Sequence, residues 1–152
     1  MVKFSEARIT FSEIPTEIAL SIGITNCQNH CVGCHSPYMR EDIGEILDTA
    51  RMDSLIEANN GVSCVLFLGE GNDRGSLLDL ADYARGKGLK TGIYSGRVTV
   101  EKDVFEQHYD YVKIGPYVEK YGPLTSPTTN QRLYKIENDI WVDITKMFWS
   151  KI

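Results

Sequence analysis

The 152-residue chain lacks three features that would each place it in a broad class of protein. No apolar run approaches the roughly 20 residues that a membrane-spanning helix needs. Basic residues are scarce, since 16 Lys and Arg stand against 21 Asp and Glu and leave a net charge of −5. A protein that binds nucleic acid through its phosphates needs a basic surface, so this balance argues against that class. The amino terminus has no apolar signal-peptide core, and we therefore expect a cytoplasmic protein.

Internal repeats, low-complexity segments and breaks in composition are also missing. Hydrophobic residues make up 42% of the chain and charged residues 24%, which is ordinary for a globular domain. The length allows one domain with a substantial core and is too short for two ordinary domains. We therefore expect residues 1–152 to form a single domain.

Four cysteines are present, and three of them fall within eight residues. Cys27, Cys31 and Cys34 form a Cys-x3-Cys-x2-Cys pattern, whereas Cys64 stands alone. In a reducing cytoplasm, clustered thiols indicate metal or redox chemistry rather than a disulfide framework. A structural zinc site usually takes two separate pairs of ligands, so here Cys64 or His35 would have to complete the shell. The alternative is a 4Fe–4S cluster on three thiolates, which leaves one iron open to a substrate.

Apolar runs and turn residues predict strands that alternate with helices. The predicted strands cover residues 17–25, 62–68, 90–94 and 109–114. The predicted helices cover 51–58, a segment capped by Ser76 and closed by Gly86 and Gly88, and 101–108.

Two further predictions concern single features of this pattern. Cys64 lies inside an apolar strand, and free cysteine is among the most buried residue types, so we expect it in the core. Residues 132–143 contain two alternating runs around Glu137-Asn138-Asp139, which predicts a hairpin.

Alternating strands and helices indicate βαβ units with parallel strands. The chain is too short for a closed eight-stranded barrel, which needs about 200 residues or more, so the expected fold is α/β with a partial, open β/α barrel. Binding sites in such sheets gather at the carboxyl ends of strands. The cysteine loop, Gly69-Glu70-Gly71, Ser95-Gly96 and Gly115-Pro116 each follow a predicted strand, and we expect them on one rim.

The cysteine loop, placed after the first strand of a partial barrel, resembles the radical S-adenosylmethionine enzymes. The stretch 110–117, Asp-Tyr-Val-Lys-Ile-Gly-Pro-Tyr, is followed by Ser126 and by Asn130-Gln131-Arg132. This order resembles the activating proteins of anaerobic ribonucleoside-triphosphate reductases. Gly33 before the third cysteine is also similar to that subfamily, and the resemblance covers about residues 17 to 137. The stretch 34–38, Cys-His-Ser-Pro-Tyr, resembles glycyl-radical activases in general.

The resemblance implies a single radical S-adenosylmethionine domain over 1–152, in which Cys27, Cys31 and Cys34 ligate a 4Fe–4S cluster. It implies that S-adenosylmethionine chelates the fourth iron through its amino and carboxylate groups. An electron from a flavodoxin- or ferredoxin-type donor would then pass through the cluster and cleave the carbon–sulfur bond of the cofactor, giving methionine and a 5′-deoxyadenosyl radical. The resulting 5′-deoxyadenosyl radical would abstract hydrogen from a backbone glycine of the reductase large subunit. No catalytic acid, base or nucleophile is implied beyond the cluster and the cofactor.

The family usually carries Gly-Gly-Glu or Gly-Gly-Asp where this chain has Leu68-Gly69-Glu70-Gly71. The resemblance assigns Gly69, Glu70 and Gly71 to the methionine part of the cofactor, with Ser95 and Gly96 as further contacts. Lys113 and Gly115 are expected to contact the cofactor less directly or to face the partner. Two alternatives stay open: an activase of another glycyl radical enzyme of the formate-lyase type, and a non-catalytic zinc-binding interaction module.

Overall fold

The computed structural model describes residues 1–25 and 43–149. In this part of the chain eight strands form one sheet, in the order β3-β1-β2-β4-β5-β6-β7-β8. The strands are β1 Lys3–Thr10, β2 Ala19–Ile24, β3 Glu45–Ile46, β4 Cys64–Leu68, β5 Lys90–Tyr94, β6 Tyr111–Ile114, β7 Arg132–Glu137 and β8 Ile140–Asp143. The helices are α1 Thr49–Ala58, α2 Arg74–Gly86 and α3 Lys102–Phe105, followed by a 3-10 helix over Thr145–Phe148.

The centre of the sheet is parallel and its margins are antiparallel. Strands β2, β4, β5 and β6 pair in parallel in that order. On one side β1 pairs antiparallel with β2 and with β3, and on the other β7 pairs antiparallel with β6 and with β8. The fold is thus a mixed α/β sheet that is not closed between its edge strands β3 and β8. The partial barrel stays a prediction.

The four parallel strands form where apolar runs were long enough to be buried on both faces. All six residues of β2 are buried, as are the first four residues of β4. The observed limits of β5 match the predicted strand 90–94, and β6 begins two residues later than its prediction. These elements of the sequence analysis are confirmed.

Helix α2 begins earlier than its predicted cap at Ser76, so that prediction is wrong. Asp73 is the N-cap, and its Oδ1 accepts a hydrogen bond of 3.2 Å from the Ser76 backbone amide. Aspartate is a strong N-cap because its carboxylate satisfies an amide at the helix start. Helix α3, at Lys102–Phe105, is shorter than the predicted 101–108.

The sheet carries two separate apolar clusters, one on each face. The helix face packs Leu20, Val65 and Phe67 of the strands against the three helices, including Met52 and Leu77. The cluster on the opposite face contains Ile14, Ala19, Cys64, Leu66, Tyr111 and Leu133. Cys64 is fully buried there, as expected, and its burial raises the pKa of the thiol.

The predicted hairpin at the end of the sheet is confirmed. Strands β7 and β8 pair as far as Glu137 and Ile140. The two residues between them, Asn138 and Asp139, have φ angles of 52° and 62°. Such a pair of positive φ angles matches the twist of the strands that a two-residue turn must join.

In residues 1–25 and 43–149, no helix has both the length and the apolar character that a membrane crossing requires.

Candidate functional site

The parallel strands end at the same level, so the segments that follow them lie along one edge of the sheet. Strand register pairs Leu68 with Tyr94 and Tyr94 with Lys113. Beyond the strands, the Gly69 amide donates to the Tyr94 carbonyl at 3.0 Å, and the Ser95 amide donates to the Lys113 carbonyl at 2.8 Å. We call this edge, formed by residues 69–71, 95–97 and 115, the carboxyl rim. The expected gathering of these segments on one rim is present.

Two glycines give the Gly69–Gly71 turn its shape. Gly69 has a φ angle of 104° and Gly71 a φ angle of 64°, which side chains disfavour. A Cβ on Gly71 would lie 2.9 Å from Ile24 Cγ2 and 3.4 Å from the Thr25 carbonyl oxygen. The turn therefore lies directly against the carboxyl end of β2.

The turn presents backbone acceptors that the described part of the chain does not use. Among residues 1–25 and 43–149, no donor reaches the carbonyl oxygens of Gly69, Glu70 or Gly71. Backbone carbonyls are strong acceptors, and Gly69 and Gly71 are half-buried, so these oxygens are open to water or to a ligand. An ammonium group, which carries three donors and no acceptor, is chemically suited to such a turn.

The side chain of Glu70 is held inside the protein rather than offered to a ligand. Glu70 is 6% exposed. Arg97 donates to both of its carboxylate oxygens, from Nε at 2.9 Å and from Nη2 at 2.8 Å. Ser95 Oγ donates a third hydrogen bond of 2.5 Å. Such a two-pronged, charge-assisted contact fixes the carboxylate in position and in orientation.

Arg97 also connects the turn to helix α3. Its Nη1 donates to both carboxylate oxygens of Glu101, at 3.2 and 3.0 Å, and its guanidinium lies 5.7 Å from the centre of the Phe105 ring. The hydrogen bonds that Arg97 donates to the Glu70 carboxylate raise the pKa of Arg97. The hydrogen bonds from Arg97 lower the pKa of Glu101. Arg97 therefore stays charged between two carboxylates.

Ser95 is fully buried, and protein groups occupy its polar atoms. Besides the bond to Glu70, its Oγ accepts the Arg97 amide at 3.1 Å, and its carbonyl accepts Lys113 Nζ at 3.1 Å. Ser95 thus holds Glu70, Arg97 and Lys113 together within the rim. This geometry does not support the prediction that Ser95 contacts a cofactor directly. Gly96 is half-buried between Ser95 and Arg97.

Lys113 was expected either to be a weaker cofactor contact or to face the partner, and its side chain lies inside the rim. It is 7% exposed, and its Nζ donates to the carbonyls of Ser95 and Gly115 at 3.1 Å each. The ammonium also lies 5.4 Å from the centre of the Tyr94 ring. Lys113 thereby joins the ends of β5 and β6.

The Gly-Pro and Asn-Gln-Arg motifs, far apart in sequence, meet at the end of β6. Gly115 has a φ angle of 100°, and a Cβ there would lie 3.2 Å from Gln131 Cα. Gln131 Nε2 donates to the Gly115 carbonyl at 3.3 Å, and Asn130 Nδ2 donates to the Pro116 carbonyl at 3.1 Å. The Asn130-Gln131 segment, just before β7, therefore holds the Gly115-Pro116 end of the rim in place.

The predicted metal ligands Cys27, Cys31 and Cys34 lie outside the described residues. The described chain stops at Thr25 and resumes at Ile43, where Thr25 Oγ1 donates to the Ile43 carbonyl at 2.5 Å. Among the residues that are described, no group of three or more His, Cys, Asp or Glu is arranged to hold a metal ion. Thr25, the last described residue before the cysteines, lies beside the Gly69–Gly71 turn, since a Cβ on Gly71 would be 3.4 Å from its carbonyl oxygen.

The sequence analysis missed Arg97 and Glu101. Their signal was a pair of opposite charges four residues apart, directly after a predicted strand. The spacing alone does not reveal that Arg97 reaches back to Glu70, because that contact depends on the register of β4 and β5.

Comparisons with protein families, with curated proteins and with solved structures found no match to this chain. A functional proposal for it has to come from its own residues and their geometry.

Proposed function

We propose that this chain is a radical S-adenosylmethionine activase that uses a 4Fe–4S cluster to cleave S-adenosylmethionine reductively. Its product is a glycyl radical on the large subunit of anaerobic ribonucleoside-triphosphate reductase. The observation that carries the proposal is the carboxyl rim. There the Gly69–Gly71 turn, whose carbonyl oxygens receive no donor from residues 1–25 and 43–149, lies against Thr25, two residues before Cys27 of the three-cysteine motif.

The residues of the chain fit the two groups that this activity requires. Thiolates are the ligands of iron–sulfur clusters, and three of them, Cys27, Cys31 and Cys34, leave one iron for a substrate. The turn Gly69–Gly71 supplies carbonyl oxygens for an amino group. When bound, the cluster and S-adenosylmethionine together supply the one-electron cleavage that yields a carbon radical.

The chain's own residues have positioning roles in this proposal. The carbonyls of the turn bind and orient the methionine amino group, while the Glu70 carboxylate is occupied by Arg97 and Ser95. Lys113 holds the ends of β5 and β6 at the same level. No described side chain has to donate or accept a proton in the cleavage.

The proposed partners follow from the same chemistry. A low-potential flavodoxin- or ferredoxin-type protein donates the electron, and the reductase large subunit provides the glycine. The segment around Gly115 and Asn130, specific to the activase resemblance, lies at the end of β6 beside the rim. We therefore include it in the reductase-facing side of the protein, which would act in the cytoplasm.

The first experiment is anaerobic reconstitution of the full chain with iron and sulfide, followed by S-adenosylmethionine and dithionite. We expect 5′-deoxyadenosine, and its loss when Cys27, Cys31 or Cys34 is replaced by Ala. Cys64→Ala is the matched control, because this cysteine is buried in the opposite-face cluster and should leave product formation intact.

Two other outcomes would contradict the proposal. Bound zinc in place of iron, with no product, would indicate the non-catalytic interaction module. Product with a glycyl radical on a formate-lyase-type enzyme, but none on the reductase, would keep the chemistry and change the partner. Electron paramagnetic resonance on each mixture distinguishes the two partners.

A further inference from the structure

We infer that Arg97 is a positioning residue for the amino-acid part of the bound cofactor, acting through Glu70 without touching the cofactor itself. The inference rests on the proposed function and adds to it a residue that the sequence motifs did not indicate. Its basis is the clamp in which Arg97 Nε and Nη2 hold the two oxygens of Glu70 at 2.9 and 2.8 Å.

The clamp is the main restraint on the middle of the turn. Glu70 lies between two glycines with positive φ, which are the residues with the greatest conformational freedom. In the described part of the chain, the Gly69 amide is the only backbone group of the turn with a hydrogen bond, to the Tyr94 carbonyl at 3.0 Å. The direction of the three carbonyls therefore depends on where the Glu70 side chain is held.

The anchor of the clamp is itself fixed from two sides. Glu101 accepts Arg97 Nη1 at 3.0 Å, and Phe105 lies under the guanidinium at 5.7 Å. The Gly115 amide donates to the Arg97 carbonyl at 2.6 Å, which ties its backbone to the end of β6. Arg97 thus connects the turn after β4 to Glu101 beside α3 and to the end of β6, and the position of the turn depends on both.

Lysine cannot replace arginine in this arrangement. The guanidinium is a rigid, planar fork that matches a carboxylate with two parallel bonds, whereas an ammonium is a point charge on a flexible stem. Arg97→Lys therefore keeps the charge that pairs with buried Glu70 but removes the orientation of its carboxylate. We therefore expect the variant to fold with a less constrained Gly69–Gly71 turn.

The consequence is selective for one part of the ligand. S-adenosylhomocysteine carries the amino and carboxylate groups, whereas 5′-methylthioadenosine lacks both and keeps the adenosine. If Arg97 acts through the turn, its replacement weakens the binding of S-adenosylhomocysteine and leaves the binding of 5′-methylthioadenosine unchanged. A general loss of structure at the rim would weaken both ligands together.

The test measures the dissociation constants of both ligands for the reconstituted full-length protein under anaerobic conditions. For Arg97→Lys we expect S-adenosylhomocysteine to bind about tenfold more weakly, which corresponds to the loss of one oriented charge-assisted contact. The dissociation constant of 5′-methylthioadenosine should not change. Glu70→Gln keeps the side-chain shape and removes the buried charge, so it should show the same selectivity if Arg97→Lys fails to fold.

Arg85→Lys is the matched control. Arg85 forms a similar half-buried ion pair, with Asp110 at 3.0 Å, at the other end of the parallel strands, and its replacement should alter neither constant. Equal weakening of both ligands in Arg97→Lys and Glu70→Gln, or no weakening of either, overturns the inference. Wild-type protein that binds neither ligand overturns the proposed function instead, so the two failures are distinguishable.

Discussion

Each end of the parallel strands holds a carboxylate through side-chain hydrogen bonds, but the backbone beside it is in a different state at the two ends. At the amino end, Glu17 accepts Tyr111 Oη at 2.6 Å and Ser63 Oγ at 2.7 Å. The backbone there is paired too, with the Ser63 amide donating to the Ile18 carbonyl at 2.8 Å and the Lys90 amide to the Ser63 carbonyl at 3.0 Å.

At the carboxyl end, the Glu70 carboxylate is held by Arg97 and Ser95, yet the carbonyls of its own turn stay unused by the described residues. At the amino end, the side chains and the backbone are both paired within the protein. At the carboxyl end, the side chain of Glu70 is paired, and residues 1–25 and 43–149 leave the carbonyls of its turn without a donor. This difference in the backbone is the reason that the proposed ligand contact is assigned to the Gly69–Gly71 turn and not to the amino end.

The largest expected effect at the carboxyl end comes from Gly71→Ala. The new Cβ would lie 2.9 Å from Ile24 Cγ2 at a φ of 64°, so strain and overlap add up to about 2–3 kcal/mol of lost stability. Binding of S-adenosylmethionine should weaken with it. Urea unfolding and ligand titration measure the two effects.

Gly61→Ala is the control for that substitution. Gly61 also has a positive φ, 100°, but a Cβ there meets nothing within 4 Å. Only the conformational cost of about 1–2 kcal/mol applies, and ligand binding should not change. Equal effects of the two substitutions on ligand binding would contradict a special role for the Gly69–Gly71 turn.

An intermediate effect is expected at the amino end from Tyr111→Phe. The substitution removes the hydroxyl that donates to Glu17 and should cost about 1 kcal/mol at neutral pH, with 5′-deoxyadenosine formation unchanged. Loss of product in this variant, despite a folded protein, would mean that the amino end also contributes to the reaction and is not only structural.

The same variant tests a pH dependence. Burial, and then the hydrogen bond to Glu17, raise the pKa of Tyr111 above its ordinary value of 10.0. A raised pKa in the folded state means that the stabilisation is complete below pH 10 and is lost as the pH rises above it. Denaturation at increasing pH should therefore show a shallower loss of stability in Tyr111→Phe than in the wild type.

The smallest effect is expected from Glu101→Gln, at the outer side of the Arg97 clamp. Glu101 is more than one-third exposed, so its pair with Arg97 should contribute at most about 0.5 kcal/mol. Because Arg97 lowers the pKa of Glu101, that contribution is present above the ordinary value of 4.5 and is lost as the pH falls below it. Wild type and variant should therefore converge in acid, as thermal melts at several pH values would measure. Divergence in acid would contradict this account.

The sequence predicted those parts of the fold that follow from local pattern. The apolar runs of β4 and β5 and the turn residues Asn138 and Asp139 are local signals, and the structure has those elements. Strand β1 went unpredicted because charged residues such as Glu6 and Arg8 interrupt its apolar pattern. It forms because β2 offers it an edge to pair with.

The location of the candidate site could be predicted from the sequence, but the hydrogen bonds between its side chains could not. The order of strands and turns was enough to place Gly69–Gly71 and Gly115 on one rim. The bond between Arg97 and Glu70 spans 27 residues and exists only once two parallel strands are in register. Ser95 was expected to meet a ligand because it follows a strand, whereas its burial beneath Glu70 depends on three-dimensional packing.

The short edge strands bear on how the molecule behaves in a concentrated solution. Strand β8 has four residues, so a neighbouring chain finds little backbone there with which to extend the sheet. At the other edge, the two residues of β3 pair only with Lys3 and Phe4 of the eight-residue β1. Ile140 and Val142 of β8 are exposed, and on a longer edge they would favour growth into aggregates. The shortness of β8 therefore limits growth of the sheet at that edge, which, unlike the strands of a closed barrel, has no partner on its outer side among the described residues.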